Sequence, residues 1–85
     1  METISIKEKI NSSLELNSAA TEFLEEVDKI NDNNIIIDFE GVNFVSRSFA
    51  QSYFSKKNSM SKHIDEININ GEVKMLMDVV RDKFE

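Results

Sequence analysis

The chain has 85 residues, 40% of them hydrophobic and 31% charged, with no cysteine and a formal net charge of −6. A length of this order makes one small domain, residues 1–85, with a modest core and little room for a buried active-site cavity. Disulfides, thiolate chemistry and cysteine-based metal sites are excluded, and the acidity disfavours nucleic acid and anionic lipid surfaces.

The opening stretch METISIKEKI carries acidic residues and lacks the apolar segment of a signal peptide. No apolar run approaches a membrane span. A cytoplasmic protein without membrane insertion is the expectation, and the absence of cysteine fits it.

Ile4 and Ile6 alternate with polar residues and predict a half-buried strand. Leu14 and Leu16 alternate likewise after the turn-like Asn11-Ser12-Ser13, predicting a short hairpin or two edge strands. A helix follows, capped by Asn17 or Ser18, with Ala20, Phe23, Leu24, Val27 and Ile30 on one face. Asn31 to Asn34 end it, because such side chains bond local backbone and favour turns.

The run Ile35-Ile36-Ile37, with Phe39 close by, predicts a central strand covered by its neighbours. Gly41 supplies a turn, and Val42, Phe44 and Val45 are expected to return apolar groups to the core. A second helix starts near Ser46 to Ser48 and runs to about Lys57 with Phe49, Ala50, Tyr53 and Phe54 inward. Ile64, Ile67 and Ile69 mark a further strand. Asn70-Gly71 opens a last helix whose inward face is Val73, Leu76, Met77, Val80 and Phe84.

The predicted order is β(β)αβαβα, an α/β fold with a small sheet of about three to five strands, mostly parallel at its centre, and about three packed helices. Right-handed crossovers are expected. Sites in such folds gather at the carboxyl ends of the strands, which points to the loop Glu40 to Arg47.

Within that region, Ser46 and Ser48 flank Arg47 at the predicted helix start. Ser48 with Gln51 matches a capping box, while Ser46 as the cap would place Val45 and Ala50 as a hydrophobic staple. The same hydroxyls lie where a helix N-terminus favours negative charge, so either serine is also a candidate phosphoacceptor. Arg47 is able to pair a carboxylate or phosphate bidentately, or to stand as an ordinary surface arginine. Asp38 and Glu40 lack a companion His, Lys or Cys for acid/base catalysis, and Asp38 is expected to satisfy loop backbone N–H groups or a helix N-terminus instead. His63 is the sole histidine and has no metal-ligand spacing. No glycine-rich phosphate loop or nucleophile elbow is present. Neither catalytic residues, nor metal, nor cofactor are therefore expected.

The run IIIDFEGVNFVSRSFAQSYF, Ile35 to Phe54, resembles the STAS domain shared by sulfate transporters and anti-sigma factor antagonists. It is most similar to a small bacterial STAS-like branch whose strand, loop and helix read DFEGV-x-F-x-S-x-SFA. In the antagonists the loop ends in Asp-Ser-Ser-Gly-Leu, and a partner kinase phosphorylates one serine. Aligned on Phe44-Val45, Ser46 falls at the aspartate, Arg47 at the first serine and Ser48 at the phosphoacceptor, with Phe49 and Ala50 replacing glycine and leucine.

The resemblance implies a non-enzymatic regulatory module that binds a protein partner, such as an ATP-binding kinase of the anti-sigma type. The implied contact surface is Asn43, Ser46, Arg47 and Ser48 with Gln51, Ser52 and Ser55 of the helix. Two other readings stand beside it. One is a structural or homodimerising module whose serines only cap. The other is a small-ligand or nucleotide sensor using the polar loops Asn31 to Asn34 and Ser59 to His63.

Overall fold

The computed structural model describes residues 1–84. Its first strand, β1 (Glu2–Ser5), is followed directly by a short helix, α1 (Ile6–Lys9). The strand expected through Ile6 thus ends early. The reason lies in Ser5-Ile6-Lys7-Glu8, a capping-box spacing in which Ser5 Oγ accepts the Glu8 amide at 3.2 Å. Ile4 and Ile6 are both buried even so.

β2 (Ser13–Leu14) leads into α2 (Asn17–Asp28). No hairpin forms here: β2 pairs in parallel with β4 (Phe44–Val45), Ser13 opposite Phe44 and Leu14 opposite Val45. Leu14 is fully buried, whereas Leu16 is 68% exposed because it occupies the N-cap of α2. Neither Asn17 nor Ser18 caps that helix, and no side chain does. Ala20, Phe23, Leu24 and Val27 are buried as their spacing requires, and Ile30 packs on the core from its edge. At the far end, Asp32 Oδ1 accepts the Asn34 amide at 2.9 Å. Lys62 Nζ donates to the carbonyls of Ile30 at 2.6 Å and Asp32 at 2.8 Å, tying down the turn that follows the helix.

β3 (Asn34–Asp38) is the middle strand of a three-stranded sheet, ordered β1, β3, β5 (His63–Ile67), and both pairings are parallel. Ile35 and Ile37 are buried, and Ile36, on the opposite face, is half-buried. Phe39 lies just past the strand and is buried, its amide bonded to the Ile67 carbonyl at 3.0 Å. The Val42 amide returns to the Phe39 carbonyl at 3.0 Å, closing a turn with Gly41 at its third position and φ +85°. Glycine enters that conformation freely, while an L side chain there is strained.

α3 (Arg47–Ser59) packs against both α2 and α4 (Gly71–Asp82). Phe49, Ala50, Tyr53 and Phe54 form its buried face, and Val73, Met77 and Val80 that of α4. Phe84, expected inward, is 40% exposed, because the helix has ended before it. Ile67, at the end of β5, is likewise exposed, and Ile69 only half-buried. Among the described residues the architecture is α/β, with five strands in two parallel sheets and four helices around one cluster of buried apolar side chains. No helix among the described residues is long and apolar enough to cross a membrane.

Candidate interaction site at the start of α3

The chain leaves β3 through a tied loop. Asp38 Oδ1 accepts the Glu40 amide at 2.9 Å and the Asn68 side-chain amide at 2.8 Å. The Asn68 bond, then the Glu40 bond, favours the charged carboxylate and holds its pKa below the ordinary value. Asn68 is the one non-glycine residue with positive φ among those described, at +58°, a conformation asparagine tolerates. Asp38 therefore joins the loops leaving two adjacent parallel strands.

Beyond the Gly41 turn, β4 runs alongside β2. The Asn43 amide donates to the Ser12 carbonyl at 2.9 Å and the Ser46 amide to the Leu14 carbonyl at 2.8 Å. A two-residue strand turns one side chain inward and the next outward. Val45 is buried, and Phe44, expected in the core, is 48% exposed.

The two serines divide the work at the helix start. Ser46 is the N-cap: its Oγ accepts the Phe49 amide at 3.0 Å and donates to the Glu15 carbonyl at 2.7 Å. Val45 and Ala50, the positions of a hydrophobic staple, are both buried. The alternative box of Ser48 with Gln51 does not form, since Ser48 already lies inside the first turn. Ser46 takes precedence because it alone reaches the Glu15 carbonyl. That satisfied hydroxyl disfavours Ser46 as a phosphoacceptor. Ser48 is exposed, and its hydroxyl bonds to none of the described residues. Arg47, exposed at the first helical position, makes no ion pair with them either. A cation there opposes the helix dipole.

Ser48, Ser52, Ser55 and Ser59 follow one another at spacings of three or four along one stripe of α3, and Gln51 adjoins it one turn after Ser48 and before Ser55. Four of these, Gln51 to Ser59, line a groove of about 630 Å³ between helices, with Thr21 of α2 on one wall and Val80 and Phe84 near α4 on another. The predicted contact residues thus fall into two adjoining sets: Asn43, Ser46, Arg47 and Ser48 at the top of the helix, and Gln51, Ser52 and Ser55 in the groove below. Besides Phe84 on the groove wall, sequence reasoning misplaced Phe44. Its signal was the alternation Phe44-Val45, which allows only one of the pair to face inward.

Below this surface lies a fixed polar contact. The Tyr53 hydroxyl donates to Glu66 Oε2 at 2.7 Å, and Lys57 Nζ donates to the same oxygen at 2.8 Å. Burial first, and then the Glu66 carboxylate, push the Tyr53 phenol well above its ordinary pKa. Its ring stacks near Phe49 at 6.4 Å and meets Phe39 and Phe54 edge-on at 6.1 and 5.2 Å. This arrangement anchors α3 to β5, so the exposed stripe is carried on a rigid element.

His63 Nε2 lies 3.1 Å from Asp65 Oδ2, with both side chains largely exposed. No group of three or more His, Cys, Asp or Glu residues that would hold a metal occurs among the described residues. Compared with models of protein families, with curated proteins and with solved structures, the chain matches none.

Proposed function

We propose that the chain is a non-enzymatic, cytoplasmic regulatory module of STAS-like type. In this reading it binds a protein partner, a kinase-like ATPase of the anti-sigma kind or another regulator, through the Asn43–Ser48 segment and the outward stripe of α3. The observation that carries the reading is the division of labour between the serines. Ser46 is committed to the cap, while Ser48 and Arg47 stand free beside a half-exposed Phe44. Aromatic and arginine side chains are favoured at protein interfaces. A phosphate on Ser48 would gain from the helix N-terminus and from Arg47, and would place about −2 charge on the contact surface.

The test is capture of partners on the immobilised chain, repeated with Ser48→Asp and Arg47→Ala. A kinase-like partner held by the wild type and lost by both variants supports the reading, as does transfer of phosphate to Ser48 by that partner, mapped by mass spectrometry. Capture that is indifferent to both substitutions counts against it. Exposed Phe44 favours one second reading, a homodimerising module whose serines only cap. Sedimentation showing a dimer that Phe44→Ser dissociates and Ser48→Glu leaves intact would favour that reading over the first.

A further inference from the structure

β1 hydrogen-bonds to β3 on one side only and forms an edge of the three-stranded sheet. Its free edge carries backbone donors and acceptors with no strand to receive them. Beside it lies a groove of about 860 Å³ between β1, α1 and α2, separate from the α3 surface. Ile4, Ile10, Ala19, Phe23, Val27 and Ile30 give this groove an apolar lining. Its charged lining is Glu2, Glu22, Glu25 and Glu26 against Lys9 and Lys29, four carboxylates to two ammonium groups. The one ion pair among them, Lys29 with Glu26 at 3.7 Å, is largely solvent-exposed and contributes little.

We infer that this edge and groove form a second protein-binding site, which takes an extended basic segment of another protein as an added strand. Backbone pairing along Glu2–Ser5 holds the segment over about 13 Å, the length of four residues. Positions of the segment facing α2 carry aliphatic side chains, or lysine and arginine whose stems cover Ile10 and Ala19 while their charges reach Glu22 and Glu26. Charge selects this occupant over a second copy of the chain. Edge-to-edge pairing of two copies would bring the carboxylates of one groove against those of the other in a protein of net charge −6. The α3 groove makes the contrast: its charged lining is Lys56 and Lys83 without an acid.

The experiment is selection of random heptapeptides displayed on phage against the immobilised full chain, followed by binding measurements on the winning peptide at low salt. The expected peptides alternate aliphatic and basic residues. The double variant Glu22→Lys/Glu26→Lys, both positions exposed, should weaken binding about tenfold with an unchanged circular dichroism spectrum. Bound peptide should slow hydrogen exchange at amides within Glu2–Ser5. Arg47→Ala should leave this binding unchanged, so the site fails or stands independently of the α3 surface. The inference is overturned if no peptide enriches, if the winners are acidic or uncharged, or if charge reversal has no effect. Protection confined to other amides, or a dimer of the chain alone that protects Glu2–Ser5, overturns it equally.

Discussion

Replacing Ser46 and Ser48 separately by alanine distinguishes architecture from candidate function at the start of α3. Ser46→Ala removes an acceptor from the Phe49 amide and a donor from the Glu15 carbonyl. Loss of an N-cap costs about 1 kcal/mol. Loss of the second hydrogen bond adds about 1 kcal/mol, for a total near 2 kcal/mol. In a domain of this size each kcal/mol lowers Tm by about 4–8 °C, so a fall of roughly 8–16 °C is expected. Ser46→Thr keeps both bonds and should stay close to wild type. Ser48→Ala removes no hydrogen bond, and alanine suits a helix better than serine, so its effect should lie within about 0.5 kcal/mol. Urea denaturation followed by far-ultraviolet circular dichroism measures all three. Equal losses for the two alanine variants, or a Ser46→Ala effect below about 0.5 kcal/mol, would refute the assignment of the cap and with it the argument that Ser48 is free.

Tyr53→Phe should cost about 1.5 kcal/mol, because Glu66 keeps Lys57 as a partner, whereas Glu66→Ala should cost about 2–3 kcal/mol by stranding a buried hydroxyl and an ammonium group. Chemical denaturation that ranks them the other way would show that Glu66 is not the hub. Gly41→Ala should cost about 1–2 kcal/mol through its φ of +85° and must also displace the Lys7 side chain, whose Cδ lies 2.6 Å from the new Cβ. Gly71→Ala, strained in φ but with open space around it, should cost less in the same assay. Asp38 has a folded pKa below its unfolded one, so its stabilising contribution is complete above the unfolded value and disappears as pH falls through the folded value. The stability gap between wild type and Asp38→Asn, measured by denaturation across pH, should therefore narrow below about pH 4. A constant gap down to pH 2 would contradict the role given to this carboxylate.

Long periodic segments were legible in the sequence. The Phe23, Leu24 and Val27 stripe, the Ile35 to Ile37 run and the Phe49 to Phe54 face each repeat a pattern that one geometry satisfies. Short segments were not, because distant partners decide them. β2 reads like half of a hairpin until its partner proves to be Phe44-Val45, far along the chain. The isoleucines at 4 and 6 fit a strand, yet the overlapping Ser5–Glu8 capping pattern stops it between them. At the candidate site, two cap frames overlapped by two residues, and each was locally sound. The Glu15 carbonyl, which no local pattern reveals, selected Ser46. Phe44 was misplaced for a related reason: hydrophobicity alone does not tell which side of a short strand faces the core.

Because every strand pairing is parallel, none can form between neighbours in the chain. Each pairing closes a loop on the order of 30 residues, at an entropic cost of about 3 kcal/mol plus a constant. During synthesis β3 leaves the ribosome well before β5. Until His63–Ile67 arrives, the most apolar strand of the protein has an open edge. A ribosome stalled between α3 and β5 would thus display an aggregation-prone Ile35-Ile36-Ile37 segment, which makes the timing of elongation through residues 59–67 a determinant of how much chain reaches the native state.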